Sequence, residues 1–265
     1  MADRGEEKLL IDVTEAGVAT ATLNRPEVRN AFDEELIGAL SDAFADLARD
    51  KTLRALVLRG NGKSFSAGAD LNYMARAAQA SAEENRAQAR ALAVMLDRLD
   101  SFPRPTLVLI QGAAIAGGLG LVAACDVAVA VDGAVFSLSE VRLGLAPAVV
   151  APYVIRAIGP RAARRYFITA ERFGTDEAHR IGLVSEVVAP DQLIAVRDRL
   201  LAEFTKGGPN AQAAAKAAVE QFRDRSMDAA LAKETAELIA SLRETDEGKE
   251  GIAAFLEKRP PAWQG

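Results

Sequence analysis

Hydrophobic positions recur along this chain with two spacings, and the spacing switches several times. Residues 8–13 and 18–23 flank Thr14-Glu-Ala-Gly17 and read as a hairpin with glycine in its turn. Residues 24–30 form a polar loop carrying Arg25 and Arg29. Asp33 is placed to cap a helix whose first turn holds Glu34 and Glu35, where the helix dipole favours acids. Leu36, Leu40, Ala43, Phe44 and Leu47 give that helix one apolar face. Residues 54–59 read as a strand ended by Gly60-Asn-Gly62, and Phe65-Ser-Ala-Gly-Ala-Asp-Leu71 as a small-residue loop. Ala89, Leu92, Ala93, Leu96 and Leu99 stripe a second helix, which Pro103 and Pro105 stop.

The stretch from Gly112 to Glu140 organises the rest. Residues 106–110 predict a buried strand running into Gly112 and the small-residue turn Ala116-Gly117-Gly118. A short apolar helix to Cys125 follows, then strands over 126–131 and 135–138. Beyond Glu140 the pattern is helical over 146–158, 161–169 and 175–181, the last closed by Gly182. From Asp191 onward the chain is almost wholly helical and more charged, with breaks at 206–209 and 244–247 and an end at Pro260-Pro261. The succession of strand, small-residue loop and helix predicts an α/β fold of stacked β-β-α turns, both glycine loops lying on one side of the sheet. The expected division is a mixed core over residues 1–190 and a helical C-terminal region over 191–265.

Composition narrows the function classes. Half of the 265 residues are hydrophobic, enough for a sizeable core. A net charge of −5 offers no general attraction to nucleic acid or an acidic membrane. The one cysteine, Cys125, cannot form an internal disulfide, so a reduced, cytoplasmic setting is expected. The opening MADRGEEKLL lacks an apolar signal core, and no segment reaches the ~18 apolar residues of a membrane span. His179 is the only histidine and reads as a solvated or packing residue, so no His-rich metal site is expected.

Candidate chemistry centres on the same stretch. A glycine pair at a strand-to-helix turn aims free N–H groups at negative charge, and Glu140 is a single carboxylate in apolar surroundings. Amide donors and one acid are the parts needed for chemistry beside a carbonyl. Residues 118–123 also fit G-x-G-x-x-A, a dinucleotide fingerprint. Too few residues separate Ala123 from the next strand for the full helix such a site requires.

Phe65-Ser-Ala-Gly-Ala-Asp-Leu71, Gly112-Ala-Ala-Ile-Ala-Gly-Gly118, Cys125-Asp126, residues 136–144 and Phe255-Leu-Glu-Lys258 together resemble the enoyl-CoA hydratase/isomerase (crotonase) superfamily. The resemblance covers nearly the whole chain. Residues 139–149 and the ending 255–263 look most like bacterial methylglutaconyl-CoA and carboxygeranoyl-CoA hydratase-type members. The resemblance implies a crotonase-like spiral of β-β-α turns with a helical C-terminal region that assembles a trimer or hexamer. It implies an acyl-CoA substrate, carried as its coenzyme A thioester, and no permanently bound cofactor or metal.

Residue by residue, the resemblance places oxyanion-hole amides on Ala69 and Gly117. Ala67, Asp70 and Leu71 match a segment lining CoA, and Arg25 and Arg29 match basic groups near its phosphates. Phe255 and Lys258, on one helix face, match a pair reaching the adenine and ribose phosphate, often in a neighbouring subunit. Plainer readings stand beside these: tight turns, solvated arginines, and an apolar contact next to a solvated lysine. Glu140 falls on the second of two glutamates used by hydratases, and Gly120 on the first. Gly120 then reads either as close helix packing or as a widened pocket. Hydration of an α,β-unsaturated acyl-CoA, with Glu140 as acid and base, is the leading expectation. Isomerisation of a Δ3 to a Δ2 enoyl-CoA by the single glutamate is the alternative. A non-catalytic acyl-CoA-binding scaffold is a third, and the persistence of Glu140 beside the amide pair argues against it.

Overall fold

The computed structural model describes residues 7–264, so the first six residues of the opening stretch lie outside the described residues. The strands are β1 (Leu9–Val13), β2 (Val18–Leu23), β3 (Ala55–Gly60), β4 (Thr106–Ile110), β5 (Ala113–Ile115), β6 (Val127–Val131), β7 (Val135–Ser137) and β8 (Glu186–Val188). Between them run α1 (Glu34–Arg49), α2 (Leu71–Ala77), α3 (Ala82–Asp100), α4 (Gly117–Ala124), α5 (Ala151–Thr169) and α6 (Thr175–Arg180). The chain closes with α7 (Leu193–Lys206), α8 (Pro209–Phe222), α9 (Ala229–Glu244) and α10 (Asp246–Glu257).

Two sheets build the expected spiral. The larger has the order β1-β2-β3-β4-β6-β8, with β1 antiparallel to β2 and every other neighbouring pair parallel. All five residues of β4 are buried, as a parallel strand covered on both faces must be. The smaller sheet pairs β5 with β7 in parallel and is extended by single bridges Phe32–Ala69, Ser66–Ala114 and Phe136–Phe173. Each long strand is therefore followed by a short extended segment of the second layer and then by a helix. That arrangement stacks β-β-α turns and carries both small-residue loops to the same side.

Alternation along the strands divides the core. Leu56, Leu58, Val108 and Ile110 join Leu36, Leu40 and Phe44 of α1 and Met95, Leu96 and Leu99 of α3. Val57, Leu107, Leu109 and Val129 face the other way, onto Leu193, Val196, Leu200 and Phe204 of α7. The first C-terminal helix thus completes the burial of the main sheet. Arg54 fastens the end of the chain by donating to the carbonyls of Trp263, Thr205 and Gly207.

Two features depart from the sequence pattern. The helix expected over 146–158 starts only at Ala151; residues 146–147 are irregular and 148–150 form a turn. Pro152 fits the first turn of that helix, where no intrahelical N–H is required. A backbone kink at Gly159 (φ 73°), followed by Pro160, divides α5 into two arms, at the break expected between the helical patterns over 146–158 and 161–169. The seven-residue α2 and the three-residue β5 and β8 carry no periodicity that sequence could register. Among the described residues, no helix is long and apolar enough to cross a membrane.

Candidate active site

The two glycine-containing loops meet through close packing. A β-carbon on Gly117 would lie 2.9 Å from Cε2 of Phe32, and one on Gly118 would lie 2.8 Å from Cβ of Ser66. Only glycine lets the first turn of α4 press this tightly on the neighbouring loop. Ser66 is fully buried and stitched to β5, its N–H donating to Ala113 and its carbonyl accepting from Ile115. Its hydroxyl donates to the carbonyl of Asn30.

Backbone geometry leaves the amides of Ala69 and Gly117, on the two loops, free. Phe32 donates its N–H to the Gly68 carbonyl (2.7 Å) and accepts from the Asp70 N–H (2.8 Å). Phe32 thus pairs with the residues on both sides of Ala69, and the N–H of Ala69 itself points away from that bridge. Gly117 is the first residue of α4, where helix N–H groups have no intrahelical acceptor. Among the described residues neither amide has a hydrogen-bond partner in the chain. Ala116, immediately before, adopts φ 48° and ψ −116°, an unusual conformation for alanine. Its N–H donates to the Ser137 carbonyl at 2.9 Å.

That last bond also places the acid. Ser137 ends β7, and Glu140 opens a short 3-10 turn over Glu140–Leu143 three residues later. The turn is held by Leu145 N–H donating to the Glu140 carbonyl at 3.1 Å. The Glu140 side chain is half-buried, and its Oε2 is enclosed with no hydrogen-bond partner. Burial pushes its pKa above the ordinary value of 4.5, with a backbone hydrogen bond opposing. A carboxyl with a raised pKa and two unpaired N–H donors are the parts needed to move a proton next to a carbonyl oxygen that gains charge.

Gly120 lies one turn into α4, and its N–H donates to the Ala116 carbonyl. A β-carbon there would overlap Cγ1 of Val150, lie 3.1 Å from Val150 Cβ and approach Leu96 Cδ1 at 3.6 Å. The space is therefore packed. Gly118 and Gly120 both serve close contacts, and α4 spans only eight residues, which accounts for the nucleotide-like spacing without a nucleotide.

Asp70 caps α2, accepting from the N–H groups of Asn72 (2.8 Å) and Tyr73 (3.2 Å). Burial opposes its ionisation, but those two amides and Arg25 outweigh it and hold its pKa below the usual carboxylate range. Arg25 is only 13% exposed along its side chain. It donates to the Ala31 carbonyl at 2.6 Å, lies 3.1 Å from Asp33 and bonds Asp70 at 3.0 Å. One guanidinium thus ties together the caps of α1 and α2. Arg29, with a left-handed backbone, is exposed and has no ion-pair partner among the described residues. Ala67 is half-buried, Ala69 is exposed, and Leu71 is 82% exposed beside the amide loop.

Phe255 lies in the last turn of α10, whose chief packing partners are α8 and α9, but Lys258 is the left-handed cap just beyond it (φ 55°), so the two do not share a helix face as the spacing predicts. Phe255 is 83% exposed. Among the described residues no hydrogen bond or ion pair joins either side chain to the amide loops. Asn30, not singled out by the sequence pattern, proves central: fully buried and left-handed, it donates to Asn61 and Ser64 and accepts from the Arg25 N–H. Its only sequence signal was asparagine's tolerance of left-handed backbone in a polar loop. His179 bonds locally, its Nδ1 lying 3.1 Å from the Val184 carbonyl. Among the described residues no group of three or more His, Cys, Asp or Glu is arranged to hold a metal.

Comparison with known proteins identifies the family. The enoyl-CoA hydratase/isomerase family pattern matches residues 13–265. The chain is 34% identical over 250 residues to 2,3-dehydroadipyl-CoA hydratase of Escherichia coli K12, covering 94% of this chain and 95% of that protein. It is 31% identical over 255 residues to crotonyl-CoA hydratase of Syntrophomonas wolfei, covering 96% of each. Among solved structures, an enoyl-CoA hydratase from Shewanella pealeana superposes with a TM-score of 0.94 at 40% identity, covering 99% of this chain and all of that one. Matching the family pattern over residues 13–265 and sharing the fold and nearly the whole length of such proteins, this chain belongs to the enoyl-CoA hydratase/isomerase family.

Proposed function

We propose that this protein is an acyl-CoA lyase that reversibly hydrates an α,β-unsaturated enoyl-CoA, with Glu140 as its acid and base. The observation that carries this reading is the enclosed, unpartnered carboxyl oxygen of Glu140, which follows the strand bonded to Ala116 just before one of two backbone amides that lack acceptors. The thioester oxygen accepts from the N–H groups of Ala69 and Gly117, which hold the negative charge that develops there. Removal of one such donor typically costs ~3 kcal/mol of transition-state stabilisation. Glu140, as carboxylate, takes a proton from water as its oxygen bonds to the β-carbon. The electron pair of the double bond moves to form the enolate. Protonated Glu140 then gives that proton to the α-carbon, and the net change is one water added across the double bond.

Ala67 and Leu71 line the CoA arm, and Arg29 meets its phosphates. Arg25 and Asp70 act from behind, bracing the loop. Phe255 and Lys258 reach the nucleotide end from a neighbouring subunit of a trimer or hexamer. The exposure of Phe255 and of Leu256, Ile252 and Val219 on the C-terminal helices supports such an assembly. A branched, methylglutaconyl-type acyl group is the proposed substrate, and the cytoplasm the proposed setting. A second reading, Δ3–Δ2 enoyl-CoA isomerisation, is favoured by the packed space at Gly120, since moving one proton along an acyl chain needs a single base.

Absorbance of the conjugated enoyl thioester separates the possibilities across a panel of straight, branched and carboxylated enoyl-CoAs. Hydration bleaches it, isomerisation from the 3-enoyl form raises it, and a binding scaffold leaves it unchanged. Bleaching by wild-type protein is the expected result. No change with any substrate refutes the enzymatic reading.

A further inference from the structure

We propose that Val150 is a specificity-determining residue, filling the volume next to Gly120 and so restricting the site to a single carboxylate and a bounded acyl group. This inference rests on the hydratase/isomerase reading of the site and adds a residue to it. Val150 is 3% exposed at the residue before α5, and its Cγ1 occupies the place where a β-carbon on Gly120 would go. Cδ1 of Leu96 of α3 lies 3.6 Å from the same point. Gly120 is one helical turn from Gly117, and residues three apart on a helix share a face. Gly120, Val150 and Leu96, all buried, therefore pack together one helical turn along α4 from the free amide.

Its other end leads back to the acid. Residues 141–149 connect Glu140 to Val150 and expose Leu143, Leu145 and Ala148, an apolar run with Arg142 as its charged member. Arg142 is directed to the Ala170 carbonyl at 2.9 Å. One loop thus carries the reacting carboxyl at its start and the space-filling valine at its end. The side chains at 120 and 150 compete for one volume. Glycine at 120 requires a filler, and valine at 150 forbids a carboxylate at 120. The pair acts as a single either-or element that selects between one-acid and two-acid chemistry.

The test begins with a cycle on thermal stability: Gly120→Ala, Val150→Ala and the two together. Gly120→Ala is expected to lower Tm in wild-type background and to do so much less, or not at all, beside Val150→Ala. Equal losses in both backgrounds overturn the shared volume. Catalysis is read from Gly120→Glu alone and combined with Val150→Ala, using crotonyl-CoA hydration. The combined variant is expected to gain about 10²-fold over Val150→Ala, the lower end of the worth of a positioned acid or base, and a second ionisation in its pH–rate profile. A combined variant that folds with neither gain overturns the proposal, as does Gly120→Glu alone reaching the same rate and wild-type Tm.

If the combined variant does not fold, Val150→Ala decides. Its kcat/KM ratio for tiglyl-CoA (2-methyl-branched) over crotonyl-CoA is expected to rise about tenfold or more, the usual worth of a methyl-sized change in an apolar pocket. An unchanged ratio assigns Val150 to packing alone. Wild-type turnover separates the two claims. No turnover by wild type on any enoyl-CoA refutes the proposed function, whereas wild-type turnover with an inert variant series refutes only the role of Val150.

Discussion

Replacing Glu140 by glutamine is expected to make the protein both more stable and nearly inactive at neutral pH. The carboxyl has one enclosed oxygen without a partner, and desolvation raises its pKa above 4.5. The native state therefore holds its proton more tightly than the unfolded chain. Stability from this group is greatest in acid and is lost as pH rises from the ordinary carboxyl range through the raised folded value. Above that value the folded protein carries the full cost of an ionised, desolvated group. An unsatisfied buried polar group costs ~1–3 kcal/mol, and solvent screening of this half-buried side chain puts Glu140 near the lower end. Glutamine keeps the shape and removes the charge, so a gain of about 1 kcal/mol is expected, or about 2–4 °C in Tm for a chain of roughly this size. The gain should appear at about pH 8 and vanish near about pH 4, where both proteins are neutral at this position. Turnover should fall by ~10²–10⁴. Thermal melts across pH, paired with enoyl-thioester absorbance, read both effects. A stability difference that does not change with pH refutes the desolvation argument, and undiminished turnover refutes the assignment of Glu140.

Three further outcomes are expected. Arg25→Ala strips two largely buried caps, Asp33 and Asp70, of their shared cation and should destabilise by up to about 3–5 kcal/mol. Discrimination between CoA and dephospho-CoA thioesters should persist in that variant, and its loss without destabilisation would make Arg25 a phosphate ligand instead. Lys258→Ala should raise KM more than it lowers kcat and reduce that same discrimination, because the contact is equal in ground and transition states. Light scattering at micromolar concentration should report a trimer or hexamer, as the exposed apolar side chains of α8 to α10 call for, and a monomer of 28.1 kDa rejects it.

Sequence carried the parts of this fold that depend on neighbours along the chain. The strand at Thr106–Ile110, the Asp33 cap and the breaks around Lys206 and Glu244 follow from local spacing and punctuation, and the structure has them. The β-β-α repetition was legible for the same reason. β5 and β8 were not, because three residues give no alternation to detect and exist as strands only through their partners. Arg25 was misleading in a similar way. An arginine in a polar loop reads as solvated, and only the folding of two helix caps onto it turns it inward. Gly120 was undecidable until Val150, thirty residues away, was seen to fill its space.

The two free amides are produced by different means, which explains why one was easier to read than the other. Gly117 owes its unpaired N–H to being the first residue of a helix, a consequence of local sequence. Ala69 owes its own to the register of a bridge with Phe32, a residue thirty-seven positions earlier. The helix start also carries a burden, because Ala116 is held in a sparsely populated conformation that costs of order 1–3 kcal/mol. That conformation persists because bonds on both sides fix it: Ile115 N–H to Ser66, Ala116 N–H to Ser137 and Gly120 N–H to the Ala116 carbonyl. The partners in these bonds belong to the loop preceding Ala69, the strand leading to Glu140 and, through the Gly120 donor, α4 itself. The same few bonds that impose the strain therefore couple both amides to the acid, so a shift in any one loop displaces the others.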